Sequence, residues 1–457
     1  MLELGTLFAV PTTKSVPSSA NGGDGMTADA HRGAPLPFGL LPSTAAVDTV
    51  TGHLTIGGCD TVALAAEFGT PLFVYDEAHL RARCREAVAA FPDGVHYATK
   101  AFLCLAMARL AHDEGMHLDV STGGEYHVAR AAGVPAHRLT LHGNNKSEAE
   151  LRRALEEGIG RIVVDSFDEF DRIEHLVAAE GFAVPKILLR ITPGIEAHTH
   201  EYIMTGQDDS KFGFGVHTGA AHAAFGRAVA SAGVELVGLH MHIGSNVFDA
   251  DFFAQAIAVL APWFQAHELP ELSVGGGLGV AYVAGEEAPS FADWADAIHR
   301  AVRANDITAR VTAEPGRAIA AQAGVTLYTV GTTKEIPGIR TYVSVDGGMS
   351  DNPRPVLYDS GYEAFLPARP LDRRPDVVTI VGKHCESGDL LVRDAQVPSD
   401  IAVGDILATP VTGAYGHSMA SNYNKVPRPA VVFVADGVAR LVVRRETFDD
   451  LIALDLP

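Results

Sequence analysis

Lys100 stands in the stretch His96-Tyr97-Ala98-Thr99-Lys100-Ala101-Phe102, which reads as a short strand running directly into a helix-periodic apolar segment, Leu103 to Leu110. A lysine at such a junction points into the mouth of a barrel or sheet. Partial desolvation there lowers its pKa and makes the amine a nucleophile toward carbonyls. A lone lysine at a strand end is more often an ordinary surface residue, so its meaning depends on what else reaches the same mouth. Other strand-like runs end on His240-Met241-His242-Ile243-Gly244-Ser245, on Gly275-Gly276-Gly277-Leu278-Gly279 and on Glu314-Pro315-Gly316-Arg317. Glycines let backbone N–H groups approach and cradle an anion, although a triple glycine alone is often only a tight turn. Glu314 read alone could be a solvated loop carboxylate, and a strand-end histidine such as His242 is more often structural.

The elements that would carry these residues follow a rhythm. Strand-like runs at 95–99, 117–121, 139–143, 161–166, 186–192, 236–243, 272–275 and 310–314 alternate with segments of helical spacing such as 148–157, 167–179, 252–265 and 291–302. This predicts a closed parallel (β/α)8 barrel, with an open doubly wound sheet as the structural alternative. In such a barrel the chemistry sits at the C-terminal strand ends, and phosphate sites are frequently built from the loops after strands seven and eight. Gly275–Gly279 and Gly316-Arg317 fall in those two loops.

Beyond Arg317 the pattern changes. Runs such as 325–330, 340–345, 377–381, 405–410, 430–435 and 439–444 have no long helices between them, which predicts a mostly antiparallel β domain of sandwich or barrel type. The expected organisation is a flexible Ser/Thr/Gly/Pro-rich extension over 1–40, an N-terminal part of the β domain over 41–75, the barrel over 76–320 and the C-terminal β domain over 321–457. At 457 residues the chain has room for two or three domains.

Composition narrows the partners. A net charge of −21 argues against nucleic acid or an anionic membrane surface. Four scattered cysteines form no disulfide framework, which favours a reducing compartment. No run reaches the roughly 18 apolar residues of a membrane span. The opening MLELGTLFAV carries an acidic residue where an export signal needs basic ones, so the expected location is the cytoplasm.

A lysine, an anion-compatible pair of loops and a carboxylate on one barrel mouth suggest pyridoxal 5′-phosphate (PLP). Lys100 would hold it covalently, Glu314 would pair with its protonated ring nitrogen and maintain the electron sink, and His242 could stack on the ring. With these residues in place the chain resembles diaminopimelate decarboxylases, members of the barrel-type PLP-dependent decarboxylases. The motifs are HYATKAF, HIGS, GGGLG, EPGR, VDGGMSDNPRPVLY at 345–358, CESGD at 385–389 and GAYGHSMASNYN at 413–424. They run in order from about residue 45 to the end.

The resemblance implies that Lys100, His242, Glu314 and Cys385 are catalytic. It implies that Ser245, Gly276, Gly277, Pro315, Gly316 and Arg317 surround the cofactor. Arg317, Arg354, Tyr358 and Glu386 would contact substrate, and Tyr415 would touch both. Cys385 and Glu386 match a pair that a second subunit contributes, so a homodimer with shared sites is implied. The implied reaction is loss of carbon dioxide from meso-2,6-diaminopimelate, protonation at Cα by Cys385 or a group it positions, and release of L-lysine. Two rivals stay open: decarboxylation of ornithine, arginine or a carrier-bound glutamyl group on the same fold, and a non-catalytic PLP-binding regulator. One local departure is Gly416-His417, where similar proteins commonly carry Cys-Arg.

Overall fold

The computed structural model describes residues 33–195 and 209–456. Of the extension expected over 1–40, residues 1–32 lie outside the described residues. The remainder is packed rather than free: Leu36 and Leu40 are buried, and Gly33 exchanges hydrogen bonds with Arg374 and Gln396.

Eight parallel strands form the barrel, in the order His96–Ala98, His117–Val120, Leu139–Leu141, Arg161–Val164, Lys186–Thr192, Glu235–Met241, Glu271–Ser273 and Arg310–Thr312. The two ends meet through the parallel bridge Val95–Ala313 and the bonds from His96 N to Ala313 O (2.8 Å) and from Ala98 N to Pro315 O (3.2 Å). This closure excludes the open-sheet alternative and brings Lys100 beside Glu314.

The helices between the strands begin where the sequence supplies caps. Ser147 and Glu150 form a capping box on Glu148–Glu156, Ser290 and Asp293 another on Phe291–Ala304, and Thr122 and Ser166 cap two more. Outward-facing apolar positions bury against these helices, while inward positions are unusually polar. Only a small cluster, Val163, Leu188 and Val237, stands apart from the main core. In the successive strands the buried His96, Asp119, Thr140, His142, Arg190, His240, Ser273 and Thr312 take the place of the usual branched apolar filling. A lumen of this composition must be satisfied internally, and it is where the site lies.

The second domain is the eight-stranded, mostly antiparallel sheet built from Gly324–Ile336, Arg340–Val345, Asp376–Val381, Leu390–Val397, Ile406–Thr409, Ala430–Ala435 and Val438–Val443, with Leu72–Asp76 at its centre. Leu390–Val397 is a strand that the sequence pattern did not single out, because Arg393 and Asp394 interrupt its apolar run. Leu72–Asp76 lies parallel to Ala430–Ala435 and antiparallel to Gly324–Ile336. Of residues 41–75 it alone enters this sheet. Ala46–Val47, Leu54–Ile56 and Cys59–Asp60 form a separate three-stranded sheet, docked through Gly57 on the chain at Val434 and Gly437.

Two glycines show how tightly the barrel is set. A Cβ on Gly238, beside the register shift in the sixth strand, would lie 1.9 Å from the Glu271 carbonyl oxygen, whereas one on Gly226 in the helix Ala220–Ala230 meets nothing within 4 Å. Gly238→Ala should therefore cost about 1–3 kcal/mol or more by overpacking, and Gly226→Ala should gain roughly 0.5–1 kcal/mol from helix propensity. Chemical denaturation of both variants checks the opposite signs.

Candidate active site

The C-terminal ends of the barrel strands open into a cavity of about 690 Å³. Its base is Glu314, buried two residues past the last strand. One carboxylate oxygen accepts from His240 Nε2 at 2.9 Å and the other from Ser273 Oγ at 2.8 Å, and His142 Nε2 lies 3.4 Å away. Burial alone would favour the protonated acid. The two imidazoles and their hydrogen bonds outweigh it and hold Glu314 well below the usual carboxylate range. The opposite fate meets Asp119, which burial pushes up to about 6 despite the neighbouring His142 and Lys100.

Lys100 lies in the short turn Thr99–Ala101 at the end of the first strand and lines the cavity. Its backbone is clamped on both sides. Thr99 Oγ1 donates to Asp119 O (2.8 Å), Tyr97 OH donates to Phe102 O (2.7 Å), and Phe102 stacks on Tyr75 with ring centroids 4.3 Å apart. From the second domain, Tyr415 N and Ser418 Oγ both donate to Ala101 O, at 2.8 and 2.9 Å. One expectation needs correcting: the side chain is not desolvated by the protein, for Lys100 is exposed within the open mouth. Its positive charge instead favours the anions of Asp119 and Glu125 nearby.

His242 lines the same wall. Burial, with Lys100 and Arg190 nearby, keeps its pKa well below the ordinary value, so it presents a neutral ring. Gly276, Gly277 and Gly316 line the cavity where the sequence reading put them. Their need for glycine has a plain cause in close approach: added Cβ atoms would lie 2.3 Å from Glu314 O, 2.6 Å from Gly244 O and 2.9 Å from Ala98 O. Gly277 also has φ +114°, where side chains are rarely accommodated. Pro315 is not among the lining residues; its carbonyl serves the barrel closure.

The side of the cavity facing the second domain is cationic. Arg317 is buried, with Nη2 donating to Ser245 Oγ (2.7 Å), Nη1 to Tyr282 OH (2.6 Å), and Nε without a hydrogen-bond partner. The Tyr415 ring lies 4.8 Å from its guanidinium carbon. Arg354 is likewise buried; it donates to Tyr362 OH (2.7 Å) and sits 4.4 Å over the Tyr282 ring. Among the described residues neither pairs with a carboxylate. Two buried guanidiniums held by phenols and π faces form a receptor for an incoming anion. Tyr358, Tyr415 and Ser245 line the same space.

Cys385 and Glu386 are not in this cavity. Both are exposed, with Cys385 N donating to Asn424 Oδ1 (3.1 Å) and Tyr423 OH reaching Glu386 at 3.4 Å. The sequence reading also missed His142, His240, Asp119, Ser273, Arg190, Tyr282 and Tyr362. The alternation of the strands could have exposed His240 and Ser273, each two residues from a motif residue on the same side of its strand, whereas the strands of Asp119, His142 and Arg190 carry no motif residue to mark them. The tyrosines lie in loops with no pattern to mark them. His417, the local departure, fills an apolar corner edge-on to Phe73 and Phe102 at 5.7 and 5.9 Å, and burial holds its pKa down to about 4.

The residues fit PLP. A buried anion at the base suits a protonated ring nitrogen, a neutral imidazole suits a ring face, and a lysine stands at the mouth beside an anion-receptive wall. Residues 77–321 match the family of the pyridoxal-dependent decarboxylase pyridoxal-binding domain, so the fold and site are those of a barrel-type PLP-dependent decarboxylase. The chain is 48% identical over 423 residues to a diaminopimelate decarboxylase of Bacillus subtilis, covering 89% of this chain and 96% of that one. It is 48% identical over 427 residues to one of Mycobacterium tuberculosis, covering 89% and 95%. The structure of a diaminopimelate decarboxylase from M. jannaschii in complex with L-lysine superposes with a TM-score of 0.84 at 33% identity, over 91% of this chain and 98% of that one. The chain belongs to the diaminopimelate decarboxylase family.

A buried guanidinium without a counter-ion costs stability that only a bound anion recovers. Arg354→Met should accordingly leave the melting temperature unchanged or slightly raised. It should weaken binding of a substrate carboxylate by roughly tenfold to a hundredfold, the worth of one charge-assisted contact. Calorimetric titration alongside a thermal melt separates the two effects.

Proposed function

We infer that this chain decarboxylates meso-2,6-diaminopimelate to L-lysine and carbon dioxide with PLP held at Lys100. The observation that carries this is an ionised, triply contacted Glu314 at the cavity base together with two buried guanidiniums that, among the described residues, lack carboxylate partners. When bound, PLP supplies an electron sink for the pair of electrons left behind as carbon dioxide departs.

The chain's own residues do the rest. Lys100 would hold the cofactor through its amine. Glu314 keeps a proton on the ring nitrogen, because its own proton affinity is held low by His240 and His142. Neutral His242 on the cavity wall would cover one ring face without competing for that proton. Ser245, Gly276, Gly277, Gly316 and Arg317, which line the cavity, would surround the phosphate and substrate, and Tyr415 would touch both. Arg354, Tyr358 and Arg317 receive a substrate carboxylate. Their tyrosine supports exclude water from the contact, and so strengthen it.

Cα must regain a proton after the carboxylate leaves, and among the described residues the cavity holds no thiol. We assign that role to Cys385 of a second copy of the chain, with Glu386 beside it recognising the far ammonium of the substrate. The exposure of both residues, outside the cavity of their own chain, supports this reading. The assembly is a two-fold dimer with two composite sites. Free thiols at Cys59, Cys84, Cys104 and Cys385 are compatible with work in the cytoplasm.

The substrate is tested by measuring carbon dioxide release over a panel of meso-diaminopimelate, lysine, ornithine and arginine. Diaminopimelate should exceed the others in kcat/KM by at least about a hundredfold, since the rest leave a buried charge at the far end unmatched. Comparable turnover of ornithine or arginine would overturn the assignment.

Shared sites predict complementation. Lys100→Ala and Cys385→Ala should each be nearly inactive. Mixing after subunit exchange should give about half heterodimers with one intact site each, restoring roughly a quarter of wild-type activity. Exchanged mixtures as inactive as either parent would place Cys385 within its own chain's site or outside the chemistry.

A further inference from the structure

His142 directly follows the third barrel strand and stands between two carboxylates. Its Nε2 lies 3.4 Å from Glu314 Oε1 and 3.5 Å from Asp119 Oδ1, and all three side chains are buried. An imidazole lone pair aimed at two carboxylate oxygens would be repelled by both, so the proton belongs on Nε2. At these distances neither contact is a formed hydrogen bond, and among the described residues the buried Nε2 and Asp119 Oδ1 are left without a hydrogen-bond partner, so the imidazole stands poised between the two carboxylates. The His240 ring packs edge-on against it with centroids 5.0 Å apart, fixing its plane, while His240 Nε2 is committed to the other oxygen of Glu314. Neither His142 nor His240 belongs to the motifs from which the family was recognised.

The two carboxylates face different parts of the site. Glu314 lies at the base, where a ring nitrogen would sit, and Asp119 faces Lys100. We propose that His142 is a positioning residue that ties these carboxylates together through one imidazole N–H aimed between them, so that the anion at the cavity base and the anion near the Lys100 amine are set jointly. This rests on the assignment of Lys100 and Glu314 made above.

The surroundings give the link a direction. His96, Thr140 and Glu125 approach from the first three strands and their loops, Arg190 from the fifth, and His240 and His242 from the sixth. His142 and Lys100 both draw Asp119 toward its anion against burial. Removing the imidazole should let Asp119 take up a proton more readily. The positive charge of a protonated Lys100–cofactor link would then lose a counter-ion, and that link should release its proton at lower pH.

The test compares His142→Phe with His142→Gln, whose amide N–H can replace the lost donor. For each holoenzyme the PLP dissociation constant, the pH midpoint of the cofactor's visible absorbance and the melting temperature are measured. His142→Phe should bind PLP about tenfold or more weakly and move the absorbance midpoint down by roughly half a pH unit, with His142→Gln close to wild type. Combined with Asp119→Asn, the Phe variant should add little further shift, because both remove the same link. Unchanged PLP affinity and midpoint in His142→Phe, or fully additive shifts in the double variant, would overturn the proposal. If the Phe variant does not fold, a His142→Gln enzyme with the weakened affinity and lowered midpoint expected of Phe overturns it equally. Borohydride reduction of the wild type, followed by mapping of the labelled lysine, tells this failure from the failure of the site itself: label at Lys100 leaves the site standing.

Discussion

A carboxylate buried at the bottom of a protein cavity is expensive, and the fate of Glu314 decides what this barrel can do. Left to burial alone it would be protonated, and a neutral acid under the cofactor ring would leave the ring nitrogen without its counter-ion. His240 and Ser273 each give it a hydrogen bond below 3 Å, and His142 stands near. Contacts to a charged acceptor are worth about 1.5–3 kcal/mol each, enough together to reverse the desolvation cost. Those donors come from strands three, six and seven, while Glu314 follows strand eight. The anion therefore exists only in a closed barrel, and closure at Val95–Ala313 is a condition of the chemistry as well as of the fold.

The same logic runs upward through the cavity. Lys100 sits on the seam between first and last strands, and its turn is held from the second domain: by the Tyr75 ring through Phe102, and by the Tyr415 backbone N–H and the Ser418 hydroxyl through the Ala101 carbonyl. Tyr415 adopts φ +60°, an uncommon conformation for a tyrosine, and it does so where its N–H secures the lysine turn and its ring lies against Arg317. The second domain thus supplies a wall of the site and fixes the lysine from outside the barrel. The central placement of Leu72–Asp76 in that domain's sheet, immediately before the first barrel helix, makes the two domains one mechanical unit.

Much of this was legible in the sequence because barrel strands announce themselves by spacing and because chemistry collects at their ends. Lys100, His242, Gly276, Gly277, Glu314 and Arg317 share one mouth as the strand count implies. The polar lumen was harder to read. His240 is two residues from His242 and alternation puts both on one side of the strand, yet a histidine in an apolar run gives no sign of which carboxylate it will meet. His142 and Asp119 belong to no glycine-marked loop, and only three-dimensional closure joins them to Glu314. Tyr282 and Tyr362 support the arginines from irregular segments, where neither period nor turn chemistry singles out a residue. The desolvated lysine expected at position 100 is instead exposed, because the turn Thr99–Ala101 presents its side chain to the open cavity.

Whether the buried network governs the cofactor is most directly measured by nitrogen NMR of holoenzyme loaded with isotope-labelled PLP. An anionic Glu314 held by His240, Ser273 and His142 should keep the ring nitrogen protonated, with a pyridinium-like shift that stays constant from about pH 6 to pH 9. A shift typical of an unprotonated pyridine, or one that titrates within that range, would contradict the role of Glu314 on which the site is built.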